Sequence, residues 1–116
     1  MTGDNRFRPL DRIRRRSEYQ TIYHEGRRIP SGKFVLFVMR NGLGRPRLGI
    51  TMTKRVGGAV RRNRAKRLLR EIFRKHKSEW KCVDIVVNGR PGLDRVSYGS
   101  LEADFLKRLR PYRKVS

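Results

Sequence analysis

The segment AVRRNRAKRLLREIFRK, residues 59 to 75, restricts the possible folds more than any other stretch of the chain. At about 100° per residue, Ala65, Leu68, Leu69, Ile72 and Phe73 share one arc of a helix. Asn63, Arg67, Arg70, Arg74 and Lys77 fall on the opposite arc, with Lys66 at its flank. Arg61 and Arg62 lie on the apolar side of the wheel, but in the first turn. A helix with one apolar face needs a second layer to cover it, so the spacing predicts a long helix, to about Lys77, packed on a sheet. Between residues 54 and 77 eleven Lys or Arg accompany one acid, Glu71, and 11 − 1 leaves +10. Like charges at i,i+4 cost a few tenths of a kcal/mol each, so a merely solvated helix interleaves the two signs. Asn63, Arg67, Arg70 and Arg74 instead form a stripe without an acid. It spans roughly 16 Å at about 1.5 Å per residue, comparable to a few phosphate spacings. The stripe reads as a phosphate-binding surface.

The rest of the chain agrees with a polyanionic partner. Lys plus Arg number 31 against 10 Asp plus Glu, and 31 − 10 gives +21, a charge that repels itself unless neutralised. Nucleic acid fits best, because each neutralised phosphate releases condensed counterions. A membrane fits poorly: the longest apolar run, Phe34 to Met39, is too short to cross. The N-terminal MTGDNRFRPLDRIRRR has no apolar core of a signal peptide, so a cytoplasmic location is expected. Cys82, the single cysteine, excludes an intramolecular disulfide and a multi-cysteine zinc site.

At 116 residues one domain is expected. Residues 1–16, rich in Arg, read as a basic flexible arm, and residues 17–116 as a single α+β domain. Ser17 and Gln20 suggest a capping box for a helix to Glu25, with Gly26 as a left-handed stop. On it Tyr19, Ile22 and Tyr23 share a face. Lys33 to Arg40 reads as a strand apolar on both faces. After the turn 41–46, Arg47 to Thr53 alternates, which suggests an antiparallel hairpin. Gly57 and Gly58 then open the basic helix and expose amides where a phosphate could sit, or form an ordinary strand-to-helix turn. Cys82 to Asn88 reads as a third strand, and Ser97 caps a last helix to Arg110. The expected order is α-β-β-α-β-α, a small single-domain α+β sandwich with its helices packed on one sheet.

No catalytic or metal-binding side-chain set is expected. The acids are scattered, and His24 and His76 each lie near a helix C-terminus, where a cation is favourable. Any chemistry would come from another molecule.

The frame KRVGGAVRRNRAKRLLRE, residues 54 to 71, contains Arg62-Asn63-Arg64. Together with SEYQTIYHEGRR, KFVLFV, RLGITMT and DIVV in that order, it resembles the protein subunit of bacterial ribonuclease P, from about Arg12 to Arg110. The resemblance implies a binding protein of a ribonucleoprotein endonuclease that removes the 5′ leader of precursor tRNA. The RNA subunit would perform the hydrolysis with Mg2+ that it mainly binds itself. Implied contacts to that RNA are Lys54, Arg55, Ala59, Arg62, Asn63, Arg64, Lys66, Arg67 and Arg70. Implied contacts to the single-stranded leader are Tyr19, Tyr23 and Phe37, which offer stacking platforms. Tyr23 fits a core position as well as a cleft position. Tyr stands at two first-helix positions where the family often has Phe, which keeps stacking and adds a hydroxyl. The resemblance also implies a left-handed β-α-β crossover. Expected partners are the catalytic RNA and precursor tRNA, with no membrane and no obligate protein partner. A ribosomal or other structural RNA-binding protein shares the size, charge and fold class, and a duplex-DNA binder shares the basic helix.

Overall fold

The computed structural model describes residues 7–114. Helix α1 (Arg16–Glu25) starts one residue earlier than expected. Its cap is the Glu18 side chain, whose Oε1 accepts from the Arg15 amide at 3.3 Å, not a Ser17–Gln20 box. Gly26 ends the helix in an extended conformation, φ −75°, and not in the left-handed one. Glycine is needed there for space: a Cβ would lie 2.5 Å from the Ile22 carbonyl oxygen.

Helix α2 (Ala59–His76) carries the basic segment. Ala65, Leu69, Ile72 and Phe73 are buried on its inner face, as the periodicity requires, with Leu68 half-buried beside them. Helix α3 (Tyr98–Arg108) is capped by Ser97, whose Oγ accepts from the Ser100 amide at 3.2 Å. It stops two residues short of Arg110, and a 3-10 turn over Arg110–Tyr112 follows at Pro111.

Four strands form one sheet: β1 (Arg27–Pro30), β2 (Phe34–Arg40), β3 (Arg47–Thr51) and β4 (Val83–Gly89), in the order β1-β2-β4-β3. β1 was not expected, and it makes the order α-β-β-β-α-β-α. Its residues RRIP lack an apolar pattern, yet an edge strand with one half-buried side chain needs none and tolerates Pro30. It forms an antiparallel pair with β2. The hairpin expected between β2 and β3 does not form, because β4 lies between them, antiparallel to β2 and parallel to β3. Val83 to Val87 are five consecutive buried residues, the signature of a central strand that needs partners on both sides. β3, α2 and β4 thus make the β-α-β crossover.

The two apolar faces of β2 serve two cores. Phe34, Leu36 and Val38 join Ile85, Val87 and the inner faces of α2 and α3. Trp80 seals that layer between Phe73 and Phe105, at ring separations of 5.6 and 5.7 Å. On the other sheet face, Ile22 of α1 packs with Val86 and Ile13, flanked by Tyr19, Tyr23, Phe37 and Met39.

The expected flexible arm is, from Phe7 onward, part of the domain. Phe7 meets Phe73 edge-on at 5.7 Å. Asp11 is buried and accepts from Lys77 Nζ at 2.9 Å, and the Ile13 amide donates to the Leu48 carbonyl at 3.0 Å. Two apolar side chains and one buried ion pair outweigh the solubility of the arginines between them. The first six residues of that arm lie outside the described residues.

Candidate nucleic-acid interface

The second sheet face is only partly covered: α1 packs on it through Ile22, and beside α1 Pro30 and Thr51 are exposed and Phe37 and Asn88 half-buried, so helix and open strands make the wall and floor of a cleft. Cross-strand register sets Arg28, Phe37, Val86 and Gly49 in one row and Pro30, Val35, Asn88 and Thr51 in the next. α1 lies over the first row. A Cβ on Gly49 would stand 2.6 Å from the Tyr19 hydroxyl oxygen, so the missing side chain lets α1 approach β3. The Tyr19 hydroxyl donates to the Ile13 carbonyl at 3.2 Å, and burial raises its pKa above the ordinary tyrosine value.

Tyr23, half-buried, sends its hydroxyl to Asn88 Oδ1 at 2.7 Å and lies 3.1 Å from Thr51 Oγ1. Its ring stands perpendicular to Phe37, at 87° and 5.0 Å, and 6.4 Å from Tyr19. The three aromatic side chains singled out in the sequence are therefore neighbours. Tyr23 has both of the positions it fitted: its ring packs in the small core, and its hydroxyl reaches the polar row of the cleft.

An arginine that the sequence did not single out holds this wall in place. Arg47 at the start of β3 donates Nε and Nη2 to the two Asp84 oxygens at 2.9 and 2.8 Å, and Nη2 to Glu18 Oε2 on α1 at 3.0 Å. The planar fork grips β4 and α1 together, and both carboxylates raise the arginine pKa. For Glu18, burial pushes the pKa up, but the hydrogen bonds from Arg47 and the Arg15 amide outweigh it and the value falls below the ordinary range. Glu18 and Asp84 are 29 and 37 residues from Arg47, and no local pattern links them.

The basic helix meets the cleft at one end. A pocket of about 130 Å³ is lined by Phe7, Arg12, Tyr19, Gly49, Lys66 and Arg70, among others, with no acid. Burial, and after it the nearby Arg12 charge, lower the Arg70 pKa. Asn63, Arg64 and Arg67 are exposed on the same helix, and Lys54, Arg55 and Ala59 are exposed just before it or at its start. Arg62 is half-buried, with its Nε unpaired among the described residues. Arg74 leaves the phosphate stripe, because it forms an ion pair with Glu71 one turn back.

Two other sequence signals resolve differently. The phosphate position considered at Gly57 and Gly58 is next to a carboxylate: a Cβ on Gly57 would stand 2.8 Å from Asp94 Oδ2, and Arg61 pairs with the same oxygen at 3.4 Å. A second anion would be repelled there. Gly57 has φ 155°, a conformation that also favours glycine. His76 bridges Glu79 and Glu102 at 2.7 and 2.9 Å, tying α2 to α3. Among the described residues no group of three or more His, Cys, Asp or Glu is arranged to hold a metal ion.

A basic helix continuous with a sheet-floored aromatic cleft, in a compact α+β domain, defines an RNA-binding protein. Comparison with known proteins gives the same class a family. The ribonuclease P family model matches residues 7–113. The ribonuclease P protein component of Syntrophus aciditrophicus is 42% identical over 92 residues, 78% of this chain and 77% of that protein. That of Staphylococcus haemolyticus is 39% identical over 95 residues, 78% of this chain and 83% of its own. The solved RNase P protein of Thermotoga maritima superposes with a TM-score of 0.79 at 35% identity, covering 89% of this chain and 98% of the other. The chain belongs to the ribonuclease P protein family. It is an RNA-binding protein of tRNA processing, a component of an endoribonuclease, and the ribosomal alternative falls away.

Proposed function

We propose that α2 docks this chain on the catalytic RNA of ribonuclease P while the cleft takes the single-stranded 5′ leader of precursor tRNA. The observation that carries this reading is the junction of the two surfaces: Tyr19 of the aromatic cleft and Lys66 and Arg70 of the basic helix line one acid-free pocket. A strand that stacks on Phe37, Tyr23 or Tyr19 passes beside Lys66 and Arg70, which grip phosphates of the RNA subunit, so the two RNAs meet at this junction. Asn63, Arg64 and Arg67, with Lys54, Arg55 and Ala59, are exposed toward the folded RNA, Arg64 while donating to the Asp94 carbonyl at 3.5 Å. Arginine grips phosphate bidentately, lysine adds a point charge, and Asn63 bonds a base edge or 2′-hydroxyl.

The described residues supply no set of ligands for a metal. The Mg2+ needed for hydrolysis is bound mainly by the RNA subunit, whose phosphates are its natural oxygen ligands. This chain binds, orients and neutralises charge. No helix among the described residues is long and apolar enough to cross a membrane, and a cytoplasmic place beside its RNA partners fits the charge.

The test is cleavage of precursor tRNA by a bacterial ribonuclease P RNA with and without this protein across a magnesium titration. Stimulation at low magnesium is expected. Equal rates with and without the protein at every magnesium concentration would overturn the proposal.

A further inference from the structure

The segment 107–114, KRLRPYRK, holds five Lys or Arg and no acid, and neither the α2 docking surface nor the cleft uses it. It is not a loose tail. The Trp80 and Arg113 backbones form an antiparallel bridge, the Lys81 amide donates to the Tyr112 carbonyl at 2.8 Å, and the Lys114 amide donates to the Glu79 carbonyl at 2.7 Å. The segment is thereby fastened beside the C-terminal end of α2. A groove of about 260 Å³ opens there, lined by Trp80, Ala103 and Leu106 and rimmed by Lys107, Arg110 and Arg113. The acids around it are already engaged: Glu79, which also lines the groove, meets His76 at 2.7 Å, Glu102 meets His76 at 2.9 Å, and Asp104 meets Arg108 at 3.0 Å. Lys107, Arg110 and Lys114 are exposed and form no ion pair among the described residues, and Arg113 stands 4.0 Å from Glu79.

We infer that this groove and its cations are a second RNA-docking surface, which takes the phosphate backbone of a duplex segment of the RNA subunit without reading its sequence. Unpaired cations held this close repel one another, and a row of phosphates relieves that cost while releasing counterions. The partner is a duplex because Trp80, the aromatic residue that lines the groove, is 2% exposed and offers no ring for a base to stack on. It belongs to the RNA subunit, in keeping with the proposed docking of α2 on which this inference rests: α3 packs with α2 on one face of the sheet, and the cleft for the substrate is on the other. The 18 residues of α2 span roughly 27 Å at about 1.5 Å per residue, so the RNA is gripped near both ends of one rigid helix. The Glu71–Arg74 ion pair lies between the two surfaces. A second copy of this chain carries the same +21 charge and is repelled from the groove.

The experiment uses holoenzyme reconstituted from this protein and a bacterial ribonuclease P RNA, with affinity for that RNA titrated against salt. Lys107→Gln, Arg110→Gln and Lys114→Gln together should lower the slope of log affinity against log salt by about 2, three phosphate contacts at about 0.7–0.9 each. Arg108→Gln removes a cation already paired with Asp104, controls for net charge, and should leave the slope nearly unchanged. A second measurement places a tethered iron chelate in the groove through Ala103→Cys, at an exposed position, in a Cys82→Ser background. Within the holoenzyme it should cut one duplex segment of the RNA subunit. A fall in slope for Arg108→Gln equal to the fall per charge in the triple variant would reduce the effect to net charge and overturn the inference. So would cleavage confined to precursor tRNA, which assigns the surface to the substrate, or cleavage of neither RNA, which leaves the groove to an acidic protein segment. Unaltered slopes in both Arg67→Ala and Arg70→Ala would instead remove the α2 docking on which it rests.

Discussion

Arg47 shows how one side chain sets the geometry of a site without belonging to it. It is largely buried, and its fork meets Asp84 on β4 and Glu18 on α1, so the wall of the cleft is tied to the floor. Arg47→Met should cost about 3–5 kcal/mol in urea unfolding, because Asp84 is left as a buried charge without its cation. Arg47→Lys should recover only part of that, since a point charge cannot replace the bidentate grip. If Arg47→Met unfolds at the wild-type urea midpoint, the clamp contributes nothing. Glu18 supplies a pH signature for the same contact. Its folded pKa lies below the ordinary 4.5, so its contribution is present above that value and is lost as pH falls through the folded one. Thermal midpoints of the wild-type and Glu18→Gln proteins should therefore differ at neutral pH and converge on acidification below 4.5.

At the scale of elements, α2 and α1 divide the work by face. The inner face of α2 is core, and its flank meets the cleft through Lys66 and Arg70. Arg70→Ala should weaken association with the RNA subunit and lower the slope of log affinity against log salt by about 0.7–0.9, one phosphate contact. Arg67→Ala should do the same if Arg67 meets the RNA. Arg74→Ala, already paired with Glu71, should leave the slope nearly unchanged. Titration of binding against salt measures all three. On the opposite wall, Gly49→Ala puts a methyl group where the Tyr19 hydroxyl now lies, so α1 or Tyr19 must shift. Leader-dependent affinity should fall several-fold, with mature-tRNA binding as the control; an unchanged ratio would show that Tyr19 can move without consequence.

For the whole molecule the decisive property is a +21 charge on a fold of the ribonuclease P protein family. The proposed action, bringing two RNAs together, is tested at this scale by the substrate. Phe37→Ala should reduce affinity for leader-bearing substrate more than for mature tRNA, because Phe37 is only half-buried at the cleft and its removal leaves the main core on the other sheet face intact. Equal loss for both ligands would make Phe37 a core residue only.

The helices, the apolar face of α2, the Ser97 cap and the acid-free arginine run were all legible from local order, because periodicity, capping and charge are carried by neighbours in sequence. The motif order around Arg62-Asn63-Arg64 was legible as a family resemblance. Strand order was not: β4 enters between β2 and β3 because five buried residues in a row need two partners, and which two is a matter of packing over distances of tens of residues. The docking of residues 7–16 was hidden by their arginines, since burial of Phe7, Asp11 and Ile13 depends on Phe73, Lys77 and Leu48. The Arg47 clamp and the Thr51–Tyr23–Asn88 chain were equally invisible, for each joins residues from three elements. The sequence by itself determined a long helix with an apolar face and a basic, acid-poor face suited to a polyanion. Only the tertiary structure decided that the helix adjoins an aromatic cleft with an ordered polar floor, because adjacency across a sheet is set by strand register and not by distance along the chain.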